Sequence, residues 1–125
     1  MKCRVEKSEI DGDIVCPPNK SYTHRAIFMA SLAIDKSIIK NILRSEDTNA
    51  TIDACKNFGV EIDDVGNDIT VTSANELKIK NNTIDAANSG TTIRIAAAIA
   101  SLADDTITLT AVSYTHLTLP TILLV

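Results

Sequence analysis

Aromatic residues are scarce in this sequence: they make up 3% of its 125 residues, and Trp is absent. Binding to nucleic acid uses aromatic side chains for stacking and a basic surface for phosphates, whereas this chain has a net charge of −4. The composition therefore argues against a nucleic-acid-binding protein. Because 45% of the residues are hydrophobic and 22% are charged, we expect one soluble globular domain with an aliphatic core.

Cysteine is also rare, and Cys3, Cys16 and Cys55 lie far apart in the sequence. An odd number of dispersed cysteines gives neither a disulfide framework nor a metal-ligand spacing, so we expect buried or half-buried free thiols in a reducing cytoplasm. The first residues lack a signal-peptide pattern, and the uncharged apolar stretch 117–125 is too short to cross a bilayer. We therefore expect a cytoplasmic protein without a membrane partner.

Hydrophobic periodicity predicts that helices and strands alternate along the chain, which is typical of the α/β (α+β) class. An apolar stripe from Ala26 to Ile34 indicates a first helix, capped by Asn19 or Ser21. The other predicted elements are a second helix at 47–58 closed by Gly59, a third helix at 90–103, and strands at 2–6, 12–16, 37–42, 60–62, 68–72, 77–79, 83–85 and 106–110. The third helix has almost no polar face, so we expect it to be buried on all sides.

Two stretches of the chain resemble each other. Residues 19–25 run from Asn to Arg and are followed at 30–33 by Ala-Ser-Leu-Ala, and residues 88–94 and 100–103 show the same pattern about 70 positions later. Each copy joins a polar turn to an apolar helix, a short acidic link and a β-branched strand, which favours a repeated β-α-β-α-β-β unit. The alternative is a chance similarity between two helices rich in Ala, a strong helix former.

The first candidate anion site consists of Lys20, Ser21 and Arg25 at the start of the first helix. Unpaired N–H groups and the helix dipole favour an anion at a helix N-terminus. Lys20 adds a point charge, and the planar guanidinium of Arg25, one turn after Ser21, suits a carboxylate or phosphate. The alternative is a capped helix with two solvated cations, because charged side chains usually lie in water.

The second candidate, at the start of the third helix, contains Asn88, Gly90 and Thr91. Gly90 allows a ligand to approach the backbone, and its neighbours supply donors without bulk. This is not a Walker A loop, because no Gly-Lys-Ser/Thr follows, and an ordinary capped turn is the alternative. For Asp47, capping of the second helix is the simplest explanation. His24 is expected on a helix surface without a chemical role.

The segment from Pro17 to Arg25 is similar to the Pro-Gly-Ser-Lys-Ser-x-Ser-x-Arg signature of 5-enolpyruvylshikimate-3-phosphate synthases. The resemblance covers roughly 5–111 and returns strongly at 88–94, which matches that family's Asn-x-Gly-Thr-x-x-Arg. Several separate motifs in the right order make it specific. Three positions depart from the family's pattern: Pro18, Asn19 and Glu46.

The resemblance implies a fold of repeated β-α-β-α-β-β units with buried helices, and an active site in the cleft between two domains. It implies a monomeric enzyme, without metal or organic cofactor, that joins the small molecules shikimate 3-phosphate and phosphoenolpyruvate. Lys20 would contact both substrates, and Ser21 and Arg25 would bind shikimate 3-phosphate. Gly90 would donate its N–H to phosphoenolpyruvate, and both helix starts would face one shared hollow. The same pocket would be lined by Asp47, Asn88 and Thr91.

The family's chain is several times longer, and the resemblance places its catalytic acid/base in the parts beyond this sequence. We therefore expect no catalytic residue here: 1–111 would be the amino-terminal part of such an enzyme, about one and a half units, inactive alone. Residues 112–125 match nothing in the family and are expected to be an artefactual tail. One alternative is a UDP-N-acetylglucosamine enolpyruvyl transferase, although that relative shows Lys-Asn in place of Lys20-Ser21. A non-catalytic anion-binding domain is the other.

Overall fold

Helices and strands alternate along the chain in the computed structural model, which describes residues 3–4, 6–7, 9, 11–73 and 76–111. This mixture confirms the predicted α/β class. None of the helices in these ranges is both long and apolar enough to cross a membrane. The elements are α1 (Lys20–Leu32), β1 (Lys36–Ile39), α2 (Glu46–Asn57), β2 (Glu61–Val65), β3 (Asp68–Thr72), β4 (Thr83–Asp85), α3 (Gly90–Ala100) and β5 (Thr108–Thr110).

The first sheet is antiparallel, with β3 in the centre, β1 on one side and β2 on the other. Val65 pairs with Asp68 across a tight turn at Gly66, whose φ of 64° is a conformation that glycine adopts at little cost. The strand predicted at 68–72 is therefore confirmed with its bounds. Ile69 and Val71 of β3 are buried and the residues between and beside them are more exposed, so one face of this sheet packs on the helices.

A second sheet joins β4 to β5 in parallel, with Ile84 opposite Leu109. Parallel neighbours need a crossover connection, and α3 supplies it, so β4-α3-β5 is a β-α-β unit. α1-β1 and α3-β5 are both a helix followed by a short strand. The two similar stretches of sequence begin these two structural units.

The core lies among the three helices, which pack on one another, and the inner face of the first sheet. Ile27, Phe58 and Val71 are almost fully buried. Burying one such side chain stabilises the fold by roughly 1.5–3 kcal/mol. Both phenylalanines of the chain, Phe28 and Phe58, belong to this core, and its other members are aliphatic residues and Cys55, in agreement with the composition.

The strand predicted at 12–16 is absent. Ile14 and Val15 are 87% and 96% exposed, and in the described part of the chain no strand runs beside them to complete a ladder. Alternating polar and apolar residues are compatible with extended backbone, but pairing needs a neighbouring strand. The strand predicted at 2–6 falls partly outside the described residues and stays a prediction.

The strand predicted at 77–79 is absent for a different reason. This segment bonds to the end of α2, where the Lys78 N–H donates to the carbonyl of Phe58 at 3.1 Å. Gly59 makes this approach possible: it has φ 94°, and a Cβ on it would lie 2.8 Å from the carbonyl oxygen of Lys78. The apolar positions of 77–79 therefore pack on the core without belonging to a strand.

The cysteines differ from the expectation of buried or half-buried thiols. Cys55 is buried in α2, and burial raises the pKa of its thiol to about 12, against a smaller opposing effect of a hydrogen bond with Ser31. Cys3 and Cys16 are exposed, because they lie on the segment before α1, which has no strand partner in the described part of the chain. The prediction is thus correct for one cysteine and wrong for two.

The complete burial predicted for the third helix is also wrong. α3 ends at Ala100, and its buried residues are confined to one face that packs on α1, α2 and β5. Ala98 is exposed and Ile95 is half-buried. An apolar sequence allows a helix to be buried on every side. How much of its surface is actually buried depends on how many other elements pack against it. The buried face consists of Thr92, Ile93, Ala96 and Ile99.

Candidate functional site

Each helix begins at a polar capping residue. The side-chain oxygen of Asn19 caps α1 by accepting from the Tyr22 N–H at 3.0 Å. The hydroxyl of Ser89 caps α3 in the same way, accepting from the Thr92 N–H at 3.1 Å. Ser45 caps α2 within a capping box. Such caps satisfy one backbone donor each and leave the first N–H groups of the helix for other partners.

A buried series of hydrogen bonds joins the three helix starts. His24 Nδ1 of α1 lies 2.6 Å from Thr51 Oγ1 of α2, which in turn lies 2.7 Å from Thr92 Oγ1 of α3. Thr92 Oγ1 donates to Ser89 Oγ at 2.6 Å. All four residues are at least 98% buried. Buried polar groups that satisfy one another fix the positions of the elements that carry them.

An ion pair links α1 to α2 at the same place. Lys20 Nζ lies 2.7 Å from Asp47 Oδ2, and the carbonyl oxygen of Asp47 lies 3.5 Å from Thr92 Oγ1 of α3. The Lys20 side chain is 52% exposed, so solvent limits the contribution of the pair to stability to about 1 kcal/mol or less. We call these contacting residues the helix junction: Lys20, His24, Asp47, Thr51, Ser89 and Thr92.

The two arginines of the repeated stretches fold back in the same manner. Arg25 Nε donates to the carbonyl of Ser21 at 3.1 Å, and Arg94 Nη1 donates to the carbonyl of Gly90 at 3.0 Å. The Arg25 guanidinium also lies over the Tyr22 ring, 5.0 Å from its centroid. Both arginines are exposed, so their remaining N–H donors face solvent near the first turn of each helix.

Backbone donors are available at both of these helix starts. No described residue accepts from the N–H groups of Lys20, Ser21, Gly90 or Thr91. Ser21 and Thr91 are exposed, and Gly90 is half-buried without a side chain to shield it. Unpaired N–H groups together with the positive end of the helix dipole attract anions. The arrangement can therefore hold negatively charged groups at α1 and at α3.

His24 is not on a helix surface, as the sequence suggested, but is buried inside the junction with 1% of its surface exposed. Burial lowers the pKa of His24 below 6.5, the Asp47 carboxylate raises it in part, and the Lys20 ammonium adds to the lowering. The imidazole is therefore neutral at neutral pH. The surface prediction was wrong because the sequence around His24 does not indicate that a distant hydroxyl, that of Thr51, is its hydrogen-bond partner.

The predicted binding residues lie at the helix starts, but the structure connects only some of them. It joins Lys20 to Asp47 and folds Arg25 back onto the backbone of Ser21. Their full set is Lys20, Ser21 and Arg25 in α1, Asp47 in α2, and Asn88, Gly90 and Thr91 at the start of α3. Of the predicted residues at the α3 start, Asn88 and Thr91 are exposed and make no hydrogen bond to a side chain of the described residues.

The shared hollow expected in front of Lys20 and Gly90 stays a prediction. A groove of about 420 Å³ lies along another face of α2, between that helix and β4. Its walls carry the carboxylates of Glu46, Asp53 and Asp85, which would repel an anionic ligand. This groove is therefore unsuited to the substrates implied by the sequence motifs.

Sequence reasoning missed the buried hydroxyls of the junction. Thr48, Thr51 and Cys55 lie on one buried stripe of α2 at helical spacing. A threonine on such a stripe needs a hydrogen-bond partner, because an unsatisfied buried hydroxyl is costly. That spacing could have indicated Thr51 as a polar contact between helices, although it could not have indicated Thr92 or His24 as its partners.

The model of the family EPSP synthase (3-phosphoshikimate 1-carboxyvinyltransferase) matches residues 5–114. The chain belongs to this family. A 3-phosphoshikimate 1-carboxyvinyltransferase of Nitrosopumilus maritimus is 56% identical over 110 residues, which are 88% of this chain and 26% of that protein. One from Methanothermobacter thermautotrophicus is 42% identical over 112 residues, with the same coverage. The chain thus spans about a quarter of the length of these EPSP synthase relatives.

Solved EPSP synthases share this fold. An EPSP synthase from Acinetobacter baumannii aligns with a TM-score of 0.69 and 24% identity over 82% of this chain and 24% of that chain. At this level of identity the likeness concerns the fold alone. It agrees with the mixed helix and strand architecture described above.

Proposed function

We propose that residues 1–111 form the amino-terminal part of a 3-phosphoshikimate 1-carboxyvinyltransferase. In the reaction, the 5-hydroxyl oxygen of shikimate 3-phosphate bonds to C2 of phosphoenolpyruvate while C3 takes up a proton. The resulting tetrahedral intermediate then loses phosphate, which leaves the enolpyruvyl group on the acceptor. The observation that carries the proposal is the meeting of three helix N-termini beside Lys20, in a chain of the EPSP synthase family.

The chemistry of the junction fits two substrates that are both multiply anionic. Lys20 is half exposed, so its ammonium can leave Asp47 for a substrate phosphate or carboxylate at little cost. Ser21 and Arg25 hold shikimate 3-phosphate at the α1 start, with the planar guanidinium on its carboxylate. Local donors of this kind explain how a chain of net charge −4 binds anions.

The α3 start serves phosphoenolpyruvate through its backbone. Gly90 brings no side chain between its N–H and the ligand, and this N–H has no acceptor among the described residues. Asn88 and Thr91 line the same pocket with small uncharged donors, and Asp47 completes it between the two helix starts. No cofactor is needed for this binding, which uses only backbone and side-chain donors.

The chain alone is expected to bind these substrates weakly and to catalyse nothing. Ligand sites in clefts draw their binding energy from both walls, and this chain supplies one of them. The acid/base carboxylate and further arginines belong to the remainder of a longer enzyme. That enzyme is proposed to be a cytoplasmic monomer whose partners are the two small substrates, without nucleic acid or membrane.

Residues 112–125 are proposed to be foreign to the family. They lie outside the described residues, so the proposal rests on their sequence, which lacks Arg and is uncharged and β-prone. Because the family match extends to residue 114, the proposal is narrowed to residues 115–125. Reading the gene beyond codon 111 in all frames tests this point: a continuing Arg-x-Arg-Pro segment would support an artefactual tail.

A hybrid enzyme tests the proposed function. Residues 5–111 of this chain replace the matching segment of the Nitrosopumilus maritimus relative, and phosphate release is measured with shikimate 3-phosphate and phosphoenolpyruvate. We expect turnover by the hybrid and none by the 125-residue chain alone. A folded hybrid without turnover would contradict the transferase proposal, and turnover by the chain alone would contradict its incompleteness.

Two controls sharpen this test. Lys36, an exposed cation on β1 outside the helix junction, provides a matched substitution: Lys20→Ala should abolish most of the turnover, and Lys36→Ala should leave it unchanged. UDP-N-acetylglucosamine replaces shikimate 3-phosphate in a parallel assay. Phosphate release with that acceptor instead would assign the chain to the related transferase.

A further inference from the structure

The buried imidazole of His24 has one nitrogen in a hydrogen bond and one without a partner. Nδ1 lies 2.6 Å from Thr51 Oγ1, whereas Nε2 is buried without a hydrogen-bond partner in the described part of the chain. Leaving a buried polar atom unsatisfied costs free energy, so a histidine that serves only to fill the core is a poor choice here. The bond made by Nδ1 is the feature that distinguishes His24 from an apolar residue of similar size.

The direction of the hydrogen bonds follows from the number of protons. Thr92 has one hydroxyl proton, and Ser89 Oγ at 2.6 Å is a much nearer acceptor for it than the Asp47 carbonyl oxygen at 3.5 Å. With that proton on the Ser89 side, Thr51 is the donor in the 2.7 Å contact between the two threonines. The Asp47 carbonyl oxygen also lies 3.4 Å from Thr51 Oγ1, but whether the Thr51 proton goes there or to Thr92, none is left for His24. Nδ1 of His24 therefore carries the proton in the bond to Thr51. The series therefore runs in one direction, from His24 through two threonines to the cap of α3.

We propose that His24 is a positioning residue for the start of α3. Its Nδ1–H orients the hydroxyls of Thr51 and Thr92, and these fix Ser89 so that the unpaired N–H groups of Gly90 and Thr91 point to the ligand. A residue of α1, the helix proposed to bind shikimate 3-phosphate, thereby sets the geometry of α3, the helix proposed to bind phosphoenolpyruvate. The connection between them passes through α2. The assignment of ligands to the two helices rests on the proposed function, but the mechanical connection does not.

Asparagine and glutamine separate this role from simple packing. The side-chain amide nitrogen of Asn can occupy the position of Nδ1 and donate to Thr51, whereas that of Gln extends to the position of Nε2. His24→Asn should therefore preserve the direction of the series, and His24→Gln should break it. Ser31→Ala is the matched control, because it removes a buried hydroxyl from α1 whose partners among the described residues are Ile27 of the same helix and Cys55.

The first measurement uses the full 125-residue chain and NMR spectroscopy. We expect ring nitrogen shifts that show a proton on Nδ1 of His24 and none on Nε2. The amide signals of Gly90 and Thr91 should keep their positions in His24→Asn and Ser31→Ala and move in His24→Gln and Thr51→Val. A proton on Nε2, or α3 amide signals that ignore all four substitutions, would overturn the proposal.

The second measurement uses the hybrid enzyme and its KM values. His24→Gln and Thr92→Val should raise KM for phosphoenolpyruvate about tenfold, the effect of one lost buried hydrogen bond, and change KM for shikimate 3-phosphate much less. His24→Asn should restore most of the loss. Equal changes in both KM values, or equal losses in the Asn and Gln variants, would contradict a positioning role. An unsubstituted hybrid without turnover would count against the proposed function. The NMR comparison would still test whether His24 positions the start of α3.

Discussion

The starts of α1 and α3 have similar sequences but present different chemistry. At α1 the cap Asn19 is exposed, and the next donors are the charged side chains of Lys20 and Arg25. At α3 the cap Ser89 is 2% exposed and bonds to the buried hydroxyl of Thr92. One helix start thus offers flexible charges to solvent, and the other offers backbone N–H groups held by a buried polar contact.

Under the proposed function, this difference predicts how a substitution at each helix start would affect ligand binding and stability. An exposed charge contributes little to folding, so substitutions of the charged residues at the α1 start should reduce ligand binding without reducing stability. A buried hydroxyl contributes to folding through its hydrogen bonds, so substitutions at α3 should reduce stability as well. The two starts are therefore separable by measuring binding and unfolding on the same variants.

The largest difference is expected for Arg25→Ala in the hybrid enzyme. Losing a charge-assisted hydrogen bond should weaken binding of shikimate 3-phosphate roughly 10- to 100-fold, measured by calorimetry. The midpoint of thermal unfolding should stay the same, because the Arg25 guanidinium is exposed and bonds only to its own helix. Lys36→Ala serves as the control for loss of an exposed cation. Unchanged affinity in Arg25→Ala would remove this arginine from the site.

A smaller difference is expected between the two caps. Ser89→Ala should lower the free energy of unfolding by about 2 kcal/mol and Asn19→Ala by about 1 kcal/mol, because only the Ser89 hydroxyl has a second, buried partner. Urea unfolding of the 125-residue chain measures both values. Equal losses would show that the hydrogen bond to Thr92 adds nothing, and the contrast between the two starts would fail.

Sequence patterns predicted the elements well where local chemistry decides them. The cap of α1 at Asn19 depends on a side-chain acceptor that few residue types supply. The end of α2 at Gly59 depends on a positive φ that few residues adopt, so both signals are specific. Lys20 and Gly90 were singled out as candidates in the same way, because anion sites at helix starts have a local signature. The order of helices and strands followed from these signals and from periodicity.

Contacts between distant segments could not be predicted from the same patterns. The bond of His24 to Thr51 spans 27 positions and that of Thr51 to Thr92 spans 41, and neither threonine belongs to a local motif. The strand predicted at 12–16 failed for the same reason, since pairing depends on what lies beside it. Which side chains meet in the junction depends on tertiary packing, which a period of 3.6 residues does not encode.

The smallest effect concerns pH and distinguishes the buried part of the junction from its exposed charges. Burial holds the pKa of His24 below its ordinary value of 6.5. As the pH falls below that value, the unfolded chain takes up a proton on this side chain that the folded chain still refuses. The free energy of unfolding therefore decreases from about pH 6.5 down to the pKa of the folded state and is level, as far as His24 is concerned, above it.

His24→Asn removes this titration while leaving the exposed Lys20–Asp47 pair in place. Urea unfolding at pH 7.5 and at pH 5.5 should consequently show a larger loss of stability for the unsubstituted chain than for the variant. Carboxylates titrate in both proteins, so the difference between the two losses isolates the imidazole. Equal losses in the two proteins would mean that the folded chain protonates His24 as readily as the unfolded one. The helix junction would then be open to water, which contradicts the burial of its hydroxyls at the start of α3.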